Sequence, residues 1–192
     1  MGLKLNLGSG QNPQSGYLNV DKYGKADLHC DLESFPWPWP DNSVSEILLV
    51  HVLEHLGGAP DTFIGIMKEM YRVCEPDALI HIAVPHPRHD NFLGDPTHVR
   101  PVLPSTLELF SKKSNLMWQK MKWANSPLAL YHNVDFEMLE ATMVLEEPYG
   151  AELQAGKLSP SDLDALLKRY NNVATEIRIE LKAIKDPVRP TG

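Results

Sequence analysis

The chain has 192 residues, of which 43% are hydrophobic, and its formal net charge is −7. This length suits one compact domain, so we expect residues 1–186 to form a single domain and residues 187–192 a loose tail. The negative charge disfavours broad binding of nucleic acid, which depends on Lys and Arg neutralising phosphates.

The sequence also argues against a membrane or secreted protein. No apolar run approaches the ~20 residues that cross a bilayer, and no charged and then apolar leader precedes the first strand pattern. Cys30 and Cys74 show neither CxxC spacing nor a disulfide framework, so both are predicted to be reduced and buried. We therefore expect a soluble, cytoplasmic protein.

The first half of the chain predicts a parallel sheet. Short segments rich in Leu, Val and Ile predict four strands: Lys4–Ser9, Tyr17–Asp21, Ala26–Leu32 and Val44–Val52. Apolar residues at helical spacing over 63–74 predict an amphipathic helix. The apolar segment Ala78–Pro85 predicts a central strand with both faces covered. Such a strand-helix-strand unit implies a right-handed crossover.

The second half predicts a helix and an antiparallel pair of strands. Ser159 as N-cap, followed by Pro160, predicts a helix that begins there. Residues 175–183 alternate apolar and charged side chains and predict a strand with one wet face, with Phe136–Glu147 as its partner. The loop "FPWPWP" is predicted to seal a sheet edge with its tryptophans, an aromatic binding platform being the alternative.

The turn after the first strand, Gly8-Ser9-Gly10, indicates a nucleotide-type ligand. Glycines there let the backbone turn sharply and let a ligand approach. The dinucleotide fingerprint needs a third glycine where this chain has Pro13, and the GxxxxGK[ST] phosphate loop is absent. An adenosine-type ligand without phosphates remains. Asp21 could then accept hydrogen bonds from ribose hydroxyls and Asp31 from an adenine amine, although both could simply be turn residues.

Together, "LNLGSG", "LNVD", "ADLHCDLESFPWPWPDNSVSEILLVHVLEHL" and the helix after them resemble class I S-adenosylmethionine-dependent methyltransferases, especially small bacterial and phage-type proteins with "VLEHL" and a later "DPTHVR". The resemblance covers roughly residues 3 to 110. It implies a Rossmann-like α/β sandwich with a mostly parallel seven-stranded sheet and an antiparallel last strand. The cofactor-binding residues it implies are Leu7, Gly8, Ser9, Gly10, Asp21, Asp31, Leu32 and His51.

The chain departs from the family pattern after its first two strands. Gly10 and Asp21 are too close for an intervening helix, and Pro13 and Gly16 interrupt the segment between them. We therefore predict that the helices after the first two strands are shortened or absent. The cofactor pocket would then be unusually open, or covered by the central segment or by another subunit in a homodimer.

The segments after the fourth and fifth strands suggest how an acceptor could be methylated. "VHVLEHL" replaces the Asn/Asp/Ser-Pro-Pro-aromatic turn of enzymes that methylate DNA amines. A hydroxyl acceptor needs a base, and His suits that role near neutral pH. The candidate bases are His55, His86, His89 and His98. The predicted catalytic residues among them are His55, His86 and His98.

The loop around His98 is the predicted acceptor site. Asp95 and Arg100 are predicted to contact the acceptor, a turn held by local hydrogen bonds being the alternative. A metal site formed by His86, His89, Asp90 and His98 fits no zinc spacing, so no metal is predicted.

These observations favour an S-adenosylmethionine-dependent methyltransferase acting on a small hydroxyl-bearing molecule or glycan precursor. Three alternatives stay open. The chain could bind the cofactor without turnover as a regulatory partner, it could carry out lyase or hydrolase chemistry on the cofactor, or it could methylate nucleic acid.

Overall fold

The computed structural model describes residues 2–185, which form a seven-stranded sheet in the order β3-β2-β1-β4-β5-β7-β6. Neighbouring strands from β3 to β5 pair in parallel, and β7 runs antiparallel to both β5 and β6. The predicted mostly parallel sheet with an antiparallel last strand is therefore confirmed. The strands are β1 (Leu3–Leu7), β2 (Leu18–Asp21), β3 (Leu28–His29), β4 (Val44–Val50), β5 (Cys74–Pro85), β6 (Phe136–Leu145) and β7 (Ala174–Ala183).

The helices follow the fourth strand. The predicted crossover helix is α1, whose buried stripe includes Phe63, Ile66 and Met70. The predicted cap of α7 is also present, because Ser159 Oγ accepts a hydrogen bond from Asp162 N–H and the Asp162 carboxylate accepts one from Ser159 N–H. The helices are α1 (Pro60–Val73), α2 (Asp90–Leu93), α3 (Pro104–Glu108), α4 (Lys112–Met121), α5 (Leu128–His132), α6 (Tyr149–Gln154) and α7 (Pro160–Arg169).

Loops, and no helices, connect β1 to β2 and β2 to β3, as predicted. A buried amide organises both connections: Asn19 Oδ1 accepts hydrogen bonds from Asn6 Nδ2 at 2.9 Å and from Gln14 N–H at 2.7 Å. Asn19 Nδ2 in turn donates to Asp27 Oδ2 at 2.9 Å. Side-chain hydrogen bonds thus satisfy the loop backbone where a helix would satisfy its own.

The missing helices leave one face of the sheet partly exposed to solvent. Along β5, Ile80 and Ile82 are buried, whereas His81 and Ala83, which alternate with them, are only half-buried. The prediction that this strand has both faces covered is therefore wrong. His81 lies 3.5 Å from Glu46 and 3.2 Å from Glu180, so polar groups occupy the open face.

Two strand limits also differ from expectation. Only Leu28–His29 of the predicted third strand pairs with β2, because the chain turns away from this sheet edge afterwards. β5 begins at Cys74, directly after α1, rather than at Ala78. Trp37 and Trp39 of "FPWPWP" are buried in the core, at 3% and 5% exposure, and pack edge to face, which favours the sealing role over an exposed aromatic platform.

Cys74 is buried and Cys30 half-buried, and both are free thiols. Within residues 2–185, no helix combines the length and apolar character that crossing a bilayer requires. The predicted tail, residues 187–192, lies outside the described residues.

Candidate cofactor cleft and histidine cluster

A cleft of about 410 Å³ opens at the carboxyl edge of the sheet, where β1, β2, β3 and β4 end. A second cleft of about 360 Å³ adjoins it and shares Gly8 and His51 with it. Strand ends at such an edge present loops that bind ligands. The predicted cofactor residues that line the first cleft are Gly8, Asp21, Asp31, Leu32 and His51. Ser9 and Gly10 line the second.

The turn after β1 is held against β2 through its backbone. Ser9 N–H donates to Val20 O at 2.9 Å, and Gly10 N–H donates to Asp21 Oδ2 at 2.7 Å. Gly8 has a φ of +66°, and a Cβ there would lie 2.7 Å from Cγ1 of Val52. Ser9 Oγ is buried in this turn and has no hydrogen-bond partner among the described residues. The Ser9 hydroxyl therefore has unused hydrogen-bonding capacity.

The two predicted carboxylates lie on the cleft wall in different surroundings. Asp21 Oδ1 accepts a hydrogen bond from Tyr23 N–H at 2.8 Å, so both of its oxygens already have one backbone donor. Asp31 Oδ2 lies 2.8 Å from Lys22 Nζ, and this ammonium holds the pKa of Asp31 below its usual range. Asp31 therefore stays ionised at neutral pH.

His51 follows β4 with a left-handed backbone, φ +55°, which is uncommon for a residue with a Cβ. Its ring bridges two carboxylates: Nδ1 lies 3.6 Å from Glu54 Oε1 and Nε2 lies 2.9 Å from Glu176 Oε2. Glu54, followed by Glu176, raises the pKa of His51 above its usual value. His51 therefore lines both clefts with an imidazole that binds a proton more tightly than usual.

A cluster of three side chains, Glu54, His55 and His98, adjoins the cleft. The imidazoles of His55 and His98 pack edge to face with ring centres 4.6 Å apart. Nε2 of each ring lies 4.0 Å from Glu54 Oε1. His55 also lines the cleft itself, so the cluster borders the space where a cofactor would bind.

Comparison with solved structures shows what this architecture resembles. An S-adenosylmethionine-dependent methyltransferase from Archaeoglobus fulgidus superposes with a TM-score of 0.61 at 19% identity, covering 94% of this chain and 86% of that one. The chain has the class I methyltransferase fold. Neither a protein-family model nor a curated protein sequence matches the chain.

Two further neighbours illustrate what proteins with this methyltransferase fold do. A Burkholderia thailandensis N1-methyltransferase, with bound 1,6-didemethyltoxoflavin and S-adenosylhomocysteine, superposes with a TM-score of 0.51 at 10% identity, covering 95% of this chain and 71% of that one. The [4+2]-cyclase SpnF superposes with a TM-score of 0.52 at 16% identity, covering 98% of this chain and 76% of that one.

Within the methyltransferase fold, the predicted catalytic histidines separate into two places. His55 and His98 meet, whereas His86 lies after β5, where burial lowers its pKa and its Nδ1 accepts a hydrogen bond from Arg88 N–H at 3.2 Å. Leu7 is fully buried, so its side chain belongs to the core. The catalytic and cofactor roles of these residues remain predictions.

The predicted acceptor residues already have local partners. Asp95 Oδ1 accepts hydrogen bonds from Thr97 N–H and from Thr97 Oγ1 at 2.8 and 2.6 Å. Arg100 donates from Nε to Gly57 O at 3.0 Å and lies over the ring of Phe63 at 4.4 Å. These contacts shape the loop around His98, and contact with an acceptor remains a prediction.

Sequence reasoning missed two groups, one on the cleft wall and one in the adjoining cluster. Lys22 pairs with Asp31, and Glu54 is 1% exposed at the centre of the cluster. Glu54 has a detectable signal, because it is the one acid in "HVLEHL" and stands between His51 and His55. Lys22 has none, since its partner is nine residues away in a loop.

Proposed function

We propose that the chain is an S-adenosylmethionine-dependent methyltransferase. The observation that carries the proposal is the cleft at the carboxyl ends of β1 to β4 in a class I methyltransferase fold, lined by Gly8, Asp21, Asp31 and His51. Ligands of open α/β sheets bind at this edge.

The residues of the cleft suit such a cofactor. The unpartnered hydroxyl of Ser9 and the close-packed Gly8 provide a turn that a polar chain can approach. Asp21 retains acceptor capacity for ribose hydroxyls, since each carboxylate oxygen can accept more than one hydrogen bond. Asp31 and the buried Leu32 would border the adenine, one by hydrogen bonding and one by apolar contact.

The acceptor in this proposal is a small hydroxyl-bearing molecule or glycan precursor. When bound, the cofactor supplies an electrophilic methyl group on a sulfonium. His55 lies on the cleft wall and would take the proton of an acceptor hydroxyl, while His98 packs against it and holds its ring in place. Asp95 and Arg100 are the proposed acceptor contacts, and the net charge of −7 disfavours nucleic acid in this role.

Calorimetric titration with S-adenosylmethionine and S-adenosylhomocysteine tests the cofactor, with NAD as the negative ligand. We expect the first two to bind and NAD not to bind. Asp21→Asn keeps the side chain's size but loses its charge, so affinity should fall about 10- to 100-fold, the equivalent of a charged hydrogen bond. Asp164→Asn, an exposed acid on α7, is the matched control and should leave affinity unchanged.

Absence of binding to the intact protein would refute the cofactor assignment. Equal affinity of wild type and Asp21→Asn would refute the role of Asp21 alone. The two variants should first be compared by thermal unfolding, because Asp21 also accepts hydrogen bonds from the backbone of the two adjoining turns.

Cofactor binding without methyl transfer is the second candidate function, because the [4+2]-cyclase SpnF shares the fold. A protein that only binds the cofactor leaves it intact even when acceptors are added. Incubation with S-adenosylmethionine and no acceptor identifies lyase or hydrolase chemistry. Lyase or hydrolase chemistry consumes the cofactor under these conditions, whereas a methyltransferase needs an acceptor to form S-adenosylhomocysteine.

A further inference from the structure

The carboxylate of Glu54 is buried beside three imidazoles, and none of them is close enough to form a hydrogen bond with it. Its residue is 1% exposed, and neither oxygen has a hydrogen-bond partner among the described residues. A buried carboxylate is costly unless a charge or hydrogen bond compensates it. The nearest nitrogens approach Oε1 only to 3.6 Å at His51 and 4.0 Å at His55 and His98. An ion bound among these imidazoles would give the Glu54 carboxylate the direct partner that these distances do not provide.

The two histidines of the cluster present lone pairs towards this carboxylate. Thr97 Oγ1 donates its hydrogen to Asp95 Oδ1 at 2.6 Å, so it accepts from His55 Nδ1 at 2.9 Å. His98 Nδ1 donates to the carbonyl of Phe92 at 2.9 Å. In each neutral ring the proton therefore resides on Nδ1, and Nε2 is free to act as a ligand.

This arrangement is typical of metal-binding histidines, which donate the second ring N–H to a carboxylate, carbonyl or similar acceptor. We propose that Glu54, His55 and His98 bind a divalent transition-metal ion of the Zn²⁺, Co²⁺ or Fe²⁺ type. Two imidazoles with one carboxylate form the ligand set that such ions take when they keep positions open for water or substrate.

The spacing of the donors fits one ion after a small contraction. One ligand atom from each of the three residues lies within 4.8 Å of the others. Ligands about 2.1 Å from a tetrahedral ion lie about 3.4 Å apart, so each donor would move inward by a few tenths of an ångström. The side chain of His55 is 35% exposed and has room for this movement.

The backbone already holds the cluster together. The carbonyl of Glu54 accepts hydrogen bonds from Val99 N–H at 2.9 Å and Arg100 N–H at 3.1 Å. These bonds fasten the loop that carries His98 to the turn that carries Glu54 and His55. The three donors are therefore arranged in advance, although His98 is distant in the sequence from Glu54 and His55.

The metal site does not depend on the proposed cofactor. Gly8, Asp21 and Asp31 of the cleft lie outside the ligand set, so binding of the ion and binding of S-adenosylmethionine can succeed or fail separately. Because His55 belongs to both, an ion in the cluster would take the lone pair that otherwise serves as the base.

Titration of tag-free, EDTA-stripped full-length protein with Co²⁺ tests the site. We expect one equivalent to bind, a visible d–d absorption band for nitrogen and oxygen ligands, and displacement of Co²⁺ by one equivalent of Zn²⁺. Glu54→Gln and His98→Ala should each weaken binding at least 100-fold. Thr97→Val, which removes the acceptor of His55 Nδ1 together with a donor to Asp95, should weaken it 10- to 100-fold. His29→Ala, an exposed histidine on β3, should bind as wild type does.

Thermal unfolding without metal shows whether a variant that fails to bind metal is still folded. Glu54→Gln should remain folded, because it keeps the size of the side chain and a neutral amide costs less to bury than a carboxylate. Zn²⁺ should stabilise wild type but not this variant. Failure of wild type to bind Co²⁺ or Zn²⁺ would overturn the proposal, as would undiminished binding by folded Glu54→Gln and His98→Ala. A wild type that binds metal but not S-adenosylmethionine would refute the cofactor assignment and leave the metal site standing.

Discussion

Substitution of Gly8 tests how closely the turn after β1 packs on the chain after β4. In Gly8→Ala, the new Cβ would lie 2.7 Å from Cγ1 of the buried Val52 and still closer to Cγ2. The left-handed backbone costs an alanine about 1–2 kcal/mol, and overpacking a buried site adds about 1–3 kcal/mol. We therefore expect a loss of unfolding free energy of about 2–5 kcal/mol.

Gly10→Ala provides the matched control. Gly10 also has a left-handed backbone, φ +51°, but the nearest atom to its Cβ would be 4.0 Å away. Gly10→Ala should therefore lose about 1–2 kcal/mol of unfolding free energy, which is the cost of the left-handed backbone alone. The difference between the two variants, about 1–3 kcal/mol, isolates the contact with Val52. Urea unfolding followed by far-UV circular dichroism, without ligand, measures both.

A double-mutant cycle identifies the contact. Val52→Ala removes the two methyl groups that the new Cβ of Gly8→Ala would meet, so Gly8→Ala should cost about 1–3 kcal/mol less in that background. Equal losses for Gly8→Ala and Gly10→Ala, with no coupling to Val52, would refute the assigned packing.

Two further predictions concern titratable groups. The pKa of Glu69 is held below its usual 4.5, first by Arg72 at 2.7 Å and then by the hydrogen bond that Trp37 N–H donates. The contribution of Glu69 to stability is therefore present above about pH 4.5 and is lost as pH falls. Glu69→Gln should therefore be destabilising at neutral pH and converge on wild type in acid, and parallel pH profiles from urea unfolding would contradict this. Burial raises the pKa of Cys74 to about 12 and also raises that of the half-buried Cys30, which lines the cofactor cleft. At about pH 8, mass spectrometry should find that iodoacetamide labels Cys30 first and Cys74 only after unfolding. S-adenosylhomocysteine should slow the labelling of Cys30. Equal labelling of both thiols, with no protection by this ligand, would contradict the cleft assignment.

Local patterns were sufficient to predict most elements of this fold. The stripe of α1 and the capping box of α7 depend on residues a few positions apart, and both are confirmed. The absence of helices after β1 and β2 was also predictable, because Pro13 and Gly16 cannot continue a helix in so short a segment. The same local reasoning failed for β5, since burial of its second face depends on elements elsewhere in the chain.

The candidate sites required the three-dimensional arrangement to different degrees. Strand ends of a parallel sheet meet at one edge, so Gly8, Asp21, Asp31 and His51 could be grouped from the order of the strands. His98 could not be grouped with Glu54 in this way, because a loop of no regular period brings it there and backbone hydrogen bonds fix it.

Local sequence patterns thus established the succession of strands along the chain, the crossover helix and the glycine turn after β1, because each depends on short-range chain geometry. Folding added the wet face of the sheet, the burial of Glu54 and the direction of the lone pairs of His55 and His98. Burial and hydrogen-bond partners are set by which distant segments pack together, and the spacing of residues along one chain does not contain that information.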